Sequence, residues 1–395
     1  MKIRRVDADE RSAISVPIQA YAFHSSPVPD EVFDRLRADQ RYYKEHVTLV
    51  AEAGGNPVAD ASAIPMRQNV RGVICPMAGI AGMATLPDAR RRGYASTLIA
   101  EILGLMRDDG HVVSALHPFK QSFYARFGFV GLPRARTVTF PMSSVTGLLT
   151  AGLDGAVRWG LAAEHYNEYR TFTHQLLADR HGFALLPESR TIQLRDARDR
   201  WLAVAVVNDT VVGAVTYRVA GYGGNLIADD LLVRGPLGRA LLLRFFAGHA
   251  DQVSHVQATI PADEMPELWA VDFASDTRAM TSFPATPAPM ARVLSLTGLA
   301  GMPVGDGHAT VEVVDDPFIA GRYSLDGTTG VLDVRRVATA TPEATLTAAG
   351  LSGLIYGVLN PDELGIRGFG QAQGEVLAQL RRLFPPSVPY LYASF

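Results

Sequence analysis

Cysteine is almost absent from this chain of 395 residues, which holds Cys75 alone. A single thiol cannot form an internal disulfide, so the sequence fits a reducing compartment and we expect a cytoplasmic protein. Cys75 stands in the apolar run 72–77 without an activating neighbour, which indicates a small buried side chain and not a nucleophile. The amino terminus shows no apolar signal-peptide core, and no stretch approaches the roughly 18 uninterrupted apolar residues of a membrane span.

A large excess of charge of one sign is also missing. The chain has 37 Lys and Arg against 40 Asp and Glu, a formal net charge of −3. This balance gives no support to nucleic-acid or membrane-surface binding as the main role. The sequence contains no cluster of histidine and cysteine that would indicate a metal site. Apolar residues make up 48% of the chain, enough for real cores in the two or three domains that its length suggests.

Two stretches of the sequence repeat one order of elements. Hydrophobic periodicity predicts a helix at residues 30–39 and strands at 46–53 and 58–64, with a further strand region formed by 73–74 and 79–86. A second helix is predicted at 95–107 and a buried strand at 111–116. A strand at 136–140 is predicted to close this unit. Residues 201–248 repeat the order strand, turn, strand, strand and helix. We interpret the echo as a duplicated mixed α/β fold.

Proline-rich residues 283–289 are typical of a linker. After them the pattern predicts a smaller α+β domain, with strands between 309 and 334 and helices over 342–349, 350–359 and 371–383. The aromatic-rich end of the chain indicates a docked terminus. We therefore predict three domains, residues 1–142, 143–286 and 287–395.

Three consecutive arginines, Arg90–Arg92, precede Gly93 at the predicted start of a helix. Positive side chains at this position oppose the helix dipole, so their presence indicates a bound anion. The first N–H groups of a helix have no internal partner, glycine lets a ligand approach the backbone, and guanidinium groups add donors. A solvated turn is the alternative, but phosphate binding explains the pattern better.

Two familiar nucleotide motifs are missing from the same segment. A P-loop needs Gly-Lys-Ser/Thr after its loop, and the dinucleotide fingerprint needs three spaced glycines. Neither is present around Gly93.

The segment from Arg90 to Ala95 resembles the Arg/Gln-x-x-Gly-x-Gly/Ala motif of the GNAT acetyltransferase superfamily. The resemblance implies acetyl-CoA as cofactor and direct attack of an amine on its thioester. In that family the strand before the loop hydrogen-bonds the pantetheine arm, and the strand after the helix splays away. The cofactor-binding residues implied in this way are Met83, Ala84, Thr85, Arg90, Arg91, Arg92, Gly93, Tyr94, Ala95, Ser96, Phe119 and Lys120. The last two depart from the small or acidic residues expected there.

A second block, residues 116–129, resembles the Tyr-x-x-x-Gly-Phe/Tyr segment of the same superfamily. It makes Tyr124 the implied general acid at the cofactor sulfur; a core aromatic is the alternative. Because tyrosine has a pKa near 10 and a thiol near 8.5, full proton transfer is uphill by about 2 kcal/mol. Tyr124 therefore has either a lowered pKa or the role of a hydrogen-bond donor.

Over its whole length the chain resembles the enhanced-intracellular-survival (Eis) branch of that superfamily. The resemblance implies two tandem GNAT-like domains of mixed α/β sheets followed by a sterol-carrier-protein-like α+β domain. It also implies a homohexamer that acetylates aminoglycosides or similar polyamines. In that branch the terminal α-carboxylate accepts the amine proton, a role that falls to Phe395; a water relay is the alternative.

Two other functions remain open. The first is an acetyltransferase whose acceptor is a protein lysine. The second is a non-catalytic protein that carries an apolar ligand. A pure carrier has no use for the arginine turn or for Tyr124. The corresponding segment of the second domain, Asp230–Ala240, has lost the arginine run, and we predict that it binds no coenzyme A.

Overall fold

The computed structural model describes all residues, Met1–Phe395. The first third of the chain alternates strands and helices as the apolar periodicity predicts. Its elements are β1 (Lys2–Val6), α1 (Arg11–Phe23), α2 (Asp30–Ala38), β2 (Val47–Ala53), β3 (Asn56–Val70), β4 (Val73–Thr85), α3 (Tyr94–Asp108), β5 (Val113–Leu116), α4 (Gln121–Ala125) and β6 (Val130–Gly131).

The middle of the chain repeats this alternation. Its elements are β7 (Arg136–Pro141), β8 (Ala156–Leu161), α5 (Ala162–Asp179), β9 (Ala184–Leu185), α6 (Glu188–Asp196), β10 (Trp201–Val207), β11 (Thr210–Val219), β12 (Asn225–Val233), α7 (Pro236–Ala247), β13 (His255–Ile260) and β14 (Asp276–Arg278). The predicted strand–turn–strand–strand–helix order over residues 201–248 is confirmed.

The final part adds shorter elements. They are β15 (Met290–Val293), β16 (His308–Val314), β17 (Gly321–Asp326), β18 (Asp333–Arg336), β19 (Ala344–Thr347), α8 (Ala348–Tyr356), β20 (Gly370–Ala372) and α9 (Glu375–Leu383). No helix in the structure combines the length and apolarity that a membrane crossing requires.

Three mixed sheets organise these elements. The first has the order β1-β2-β3-β4-β5-β15-β6, with β9 paired to β3. The second has the order β14-β7-β13-β12-β11-β10-β8, and the third β18-β17-β16-β19-β20. In the first sheet β4 and β5 run parallel, joined by the crossover helix α3. The helix packs on the sheet through one buried face, which the sequence predicted residue by residue: Leu98, Ile99, Ile102, Leu103 and Met106.

Two compact units contain these sheets. The first comprises residues 1–132, 180–190 and 283–395, and the second residues 133–179 and 191–282. Within the first unit, Met66 and Met77 of the first sheet share one hydrophobic core with Leu354 of α8 and Leu380 of α9. The buried thiol of Cys75 lies in the same core, and burial raises its pKa to about 12. Its predicted inert role is confirmed.

Several sequence predictions about elements are wrong. The strand predicted at 136–140 forms, but β7 pairs with β13 in the second sheet and does not close the first. The first sheet is completed by β15, from beyond the proline-rich segment. The helix predicted over 342–349 is replaced by β19, and the start of the one predicted over 371–383 by β20. Short apolar runs of this length suit a strand or a buried helix equally well, and only tertiary pairing decides between them.

Candidate active site

The arginine turn connects the end of β4 to the start of α3. Arg91 and Gly93 both adopt left-handed backbone conformations, with φ of 61° and 89°. No atom lies within 4 Å of the position that a Cβ would take at Gly93. The backbone there is open to solvent, and alternation of left-handed with ordinary residues turns successive N–H groups toward one side, as in anion-binding nests.

The first turn of α3 has the electrostatics of an anion site. It contains no acidic residue and no side-chain cap, so the N–H groups of Tyr94, Ala95 and Ser96 have no intrahelical acceptor. The guanidinium groups of Arg91 and Arg92 are exposed and make no ion pair with the protein. Only Arg90 is used locally, because its Nε donates to the Thr85 carbonyl at 3.1 Å. These features fit the diphosphate of a coenzyme.

The edge of β4 opens just before this turn. Parallel pairing with β5 runs from Met77 opposite Val113 to Ile80 opposite Leu116 and ends there. Beyond Ile80, β4 continues as Met83, Ala84 and Thr85 with a partner on one side only, β3. A strand with a free edge can hydrogen-bond an extended ligand arm through its backbone. The predicted pantetheine-binding residues therefore lie on an open strand edge.

A bulge shapes the same strand. The β3–β4 register shifts between Asp60 and Ser62, and Gly82 opposite the shift has a φ of 62°. A Cβ at Gly82 would lie 2.6 Å from the Gln19 amide nitrogen. Only glycine satisfies both the positive φ and this close approach, so helix α1 packs directly against the bulge.

Tyr124 lies in α4 and is only 3% exposed. Its ring packs edge-on against Phe119, Phe123 and Phe129, with centroids 4.9–6.2 Å apart. Burial raises the pKa of Tyr124 above its ordinary value near 10. This shift is opposite in direction to the lowered pKa that was one alternative in the sequence, and it keeps the phenol neutral and able to donate a hydrogen bond at physiological pH. Its hydroxyl makes no hydrogen bond to the protein, which leaves it available to a ligand.

Phe119 and Lys120 immediately precede α4. Phe119 is 45% exposed, and its ring lies against both Phe123 and Tyr124. Lys120 is exposed as well. Both belong to the segment that carries Tyr124, as the resemblance implies.

The carboxy-terminal segment is docked, as predicted. Tyr390, Leu391 and Ala393 are buried. The ring of Phe395 lies edge-on to His117, with centroids 5.4 Å apart. It also contacts Gly79 of β4, where a Cβ would come within 3.1 Å of the ring. Gly79 and His117 flank the end of the β4–β5 pairing, so the last residue of the chain lies beside the opening of the sheet.

A cavity of about 300 Å³ adjoins this opening and is lined by Ala81, Gly82 and Phe395. Its volume is at the lower end of the range for small-molecule sites. Helix α1 and the segment after α2 supply much of the remaining wall. The polar lining side chains are Arg11, Gln19, His24, Gln40, Tyr43, His46, Ser62 and Arg190.

Sequence reasoning missed α1 and the site residues it contributes. Pro17 interrupts its periodicity, and its N-terminus has no side-chain cap, so the usual helix signals are absent. Gln19 of this helix donates to the Asp60 carboxyl at 2.7 Å. Asp60 is fully buried, and its Oδ1 makes no hydrogen bond. Burial raises the pKa of Asp60 well above its ordinary value, which favours the protonated form of this carboxyl behind the open strand edge.

Two segments of the chain match models of one family of domains. Residues 2–131 match a model described as an acetyltransferase (GNAT) domain, and residues 179–293 match another with the same description. The N-acetyltransferase Eis of Mycobacterium tuberculosis is 36% identical to this chain over 80 residues, and that of Mycobacterium bovis strain BCG is equally similar. The matched segment spans 20% of this chain and only 20% of the relative's length.

Solved structures resemble the chain over its full length. A GCN5-related N-acetyltransferase from Kribbella flavida aligns with 100% of this chain and 98% of its own, with a TM-score of 0.80 and 20% identity. Eis1 from Mycobacterium abscessus aligns over 100% of both chains, with a TM-score of 0.77 and 20% identity. At these identities the likeness shows the fold, a set of mixed α/β sheets with two tandem domains of one type.

Proposed function

This chain carries two GNAT acetyltransferase domains, and from that premise we propose that it transfers an acetyl group from acetyl-CoA to a primary amine. The observation that carries the proposal is the exposed turn Arg90–Gly93 at the start of α3, beside an open strand edge. Exposed guanidinium groups, a left-handed glycine and unpaired helix N–H groups suit a diphosphate. An extended arm along Met83–Thr85 then leads toward Tyr124.

Acetyl-CoA supplies an activated thioester. The amide N–C bond forms as the C–S bond breaks; the amine gives up one proton and the sulfur takes one. Most of the acceleration comes from holding the amine beside the thioester. Backbone N–H groups of the open β4 edge are suited to stabilise negative charge that develops on the carbonyl oxygen.

Tyr124 acts as a hydrogen-bond donor to the departing sulfur in this proposal. Its raised pKa keeps the phenol protonated across the physiological range, so the donor is always present. The surrounding rings of Phe119, Phe123 and Phe129 exclude water and hold the hydroxyl in place.

Phe395 supplies the base through its terminal carboxylate. The ring anchors the chain end against Gly79 and His117. Phe395 also lines the cavity of about 300 Å³ beside the open sheet, which we propose binds the acceptor amine and call the acceptor cavity. The terminal carboxylate makes no ion pair with a protein cation. An ordinary α-carboxylate is a weak base at neutral pH, so its contribution in this proposal comes from its position beside the bound amine.

The second GNAT domain is proposed to bind no coenzyme A. Its helix α7 also begins after a glycine with positive φ, Gly235, but the ψ of this glycine is 172° and Pro236 at the first position lacks an N–H donor. The single arginine of its turn, Arg234, forms an ion pair with Asp179 at 2.7 Å. This turn therefore lacks the unpaired positive charge present at Arg91 and Arg92. We propose that this domain has a structural role. We also propose that the third domain, residues 287–395, resembles sterol carrier protein.

Thiol release from acetyl-CoA, measured against a panel of amines, tests the proposal. The panel contains aminoglycosides and simple polyamines, the acceptors that the Eis resemblance implies, together with lysine peptides. We expect release that depends on an added acceptor and is lost in the triple variant Arg90→Gln, Arg91→Gln, Arg92→Gln. Release that is independent of every acceptor and insensitive to the triple variant would contradict it. Gel filtration of the same protein tests the hexamer that the resemblance also implies.

A further inference from the structure

The lining of the acceptor cavity is cationic. Two guanidinium groups, those of Arg11 and Arg190, contribute to its wall, whereas no Asp or Glu side chain does. The one carboxylate that a lining residue contributes is the terminal group of Phe395. A polycationic acceptor calls for the opposite arrangement, with acidic side chains facing its amines.

Arg11 is the most informative residue of this wall. It is only 4% exposed and forms no ion pair. One of its terminal nitrogens, Nη1, donates to the Tyr43 carbonyl. Its Nε is buried without an acceptor, and no protein group accepts from Nη2. Nε and Nη2 form the edge of a guanidinium that pairs with both oxygens of a carboxylate. That edge is left without a protein partner.

Burial lowers the pKa of Arg11, and the charge of Asp7 offsets this desolvation only in part. A buried guanidinium that forms no ion pair with a carboxylate is rare. A second positive group lies on the same residue that Arg11 contacts: the Arg190 guanidinium is 4.3 Å from the centroid of the Tyr43 ring. It adds to the positive electrostatic potential at this wall of the cavity. The imidazole of His46 responds to this environment. Burial, and then the charges of Arg190 and Arg11, lower its pKa to about 3, so His46 is neutral and its Nε2 has no partner.

We propose that the acceptor is a small amino acid, whose carboxylate pairs with the Nε–Nη2 edge of Arg11 while its amine faces Phe395. The inference rests on the proposed acetyl transfer and names its substrate class. The small cavity volume agrees with it, as does the scarcity of negative charge in the wall. Gln19, Gln40 and His46 are neutral polar groups that can bind the remaining polar atoms of such a ligand.

Matched pairs of acceptors test the proposal: glycine, β-alanine, lysine and phenylalanine, each against its carboxamide. We expect kcat/KM to favour at least one acid over its amide by tenfold or more. Arg11→Met should abolish that preference by raising KM for the acid, with the amide almost unaffected, and Arg11→Lys should restore part of it. Arg5→Met, which removes an exposed arginine of β1, is the control and should change nothing.

Two results overturn the proposal. Equal or better turnover of all four amides would show that no carboxylate is recognised. A variant Arg11→Met that loses acid and amide alike, while Arg11→Lys restores neither selectively, would make Arg11 a purely structural residue. Calorimetric titration of the four amino acids and their amides into protein free of coenzyme separates failure of the acceptor proposal from failure of the proposed acetyl transfer. If acetyl-CoA is not taken up, the acetyl transfer fails, yet binding of an acid in preference to its amide still decides the acceptor class.

Discussion

Removal of the Tyr124 hydroxyl separates catalysis from folding. The phenol makes no hydrogen bond to the protein and its ring is held by three phenylalanines. Tyr124→Phe therefore keeps the packing, and we expect the free energy of unfolding to change by less than about 1 kcal/mol. What is lost is a hydrogen bond to the departing sulfur.

A hydrogen bond to a charged partner is worth about 1.5–3 kcal/mol. At 1.36 kcal/mol per tenfold change, kcat should fall by about 10- to 160-fold in Tyr124→Phe. Affinity for coenzyme A should persist, because the proposal assigns the diphosphate to the arginine turn and not to Tyr124. Thiol-release kinetics give kcat, and calorimetry gives the coenzyme affinity.

Tyr217→Phe is the matched control. Tyr217 is 2% exposed, and burial raises its pKa to about 12, but it lies in the second GNAT domain. Its substitution should leave kcat unchanged. Full activity of Tyr124→Phe, or equal loss of kcat and coenzyme affinity, would refute the role of Tyr124. A wild-type alkaline fall in rate below pH 10 that the variant lacks would instead contradict the raised pKa of Tyr124, since that fall would report a lowered tyrosine pKa.

Three further changes test other parts of the account. Adding residues after Phe395, or deleting it, should lower kcat by about 100-fold or more, measured by thiol release; an active tagged terminus would exclude the carboxylate. The contribution of Asp60 to stability should fall as pH rises above 3.8, because unfolded Asp60 releases its proton first while the folded carboxyl keeps it. In urea titrations the free energy of unfolding of Asp60→Asn should therefore rise relative to that of the wild type as pH increases. Arg292→Leu should lower the free energy of unfolding by about 3–5 kcal/mol, because it leaves Asp316 buried without the ion-pair partner that lies 2.9 Å away. Arg322→Leu removes one partner of the half-exposed pair with Glu312 and should cost less than about 1 kcal/mol.

Local patterns predicted the parts of the site that lie within one segment. The buried face of α3, the arginine turn and the open strand residues follow one another along the chain, so periodicity and the helix-start chemistry locate them together. The resemblance added Tyr124, whose raised pKa then depended on rings that only the folded chain brings around it.

Residues brought together from distant segments could not be predicted from local patterns, and the resemblance implied only one of them, Phe395. Arg11 reaches the cavity because α1 packs on the bulge at Gly82, and Arg190 and Phe395 come from far along the chain. The charge of Arg11 is ordinary in the sequence; its significance lies in burial without an ion-paired carboxylate. In the same way, β15 joins the first sheet through pairing over more than 170 residues, from Ala291 to Ala115, which no local signal encodes.

Calorimetric titration of acetyl-CoA into the intact chain tests the central claim most directly. We expect one molecule bound per chain, with an affinity that falls at least tenfold when Arg90, Arg91 and Arg92 are replaced by glutamine. Arg234→Gln, at the paired arginine of the second GNAT domain, should leave the affinity unchanged. No uptake, or uptake indifferent to the triple replacement, would contradict the assignment of the arginine turn as the coenzyme site.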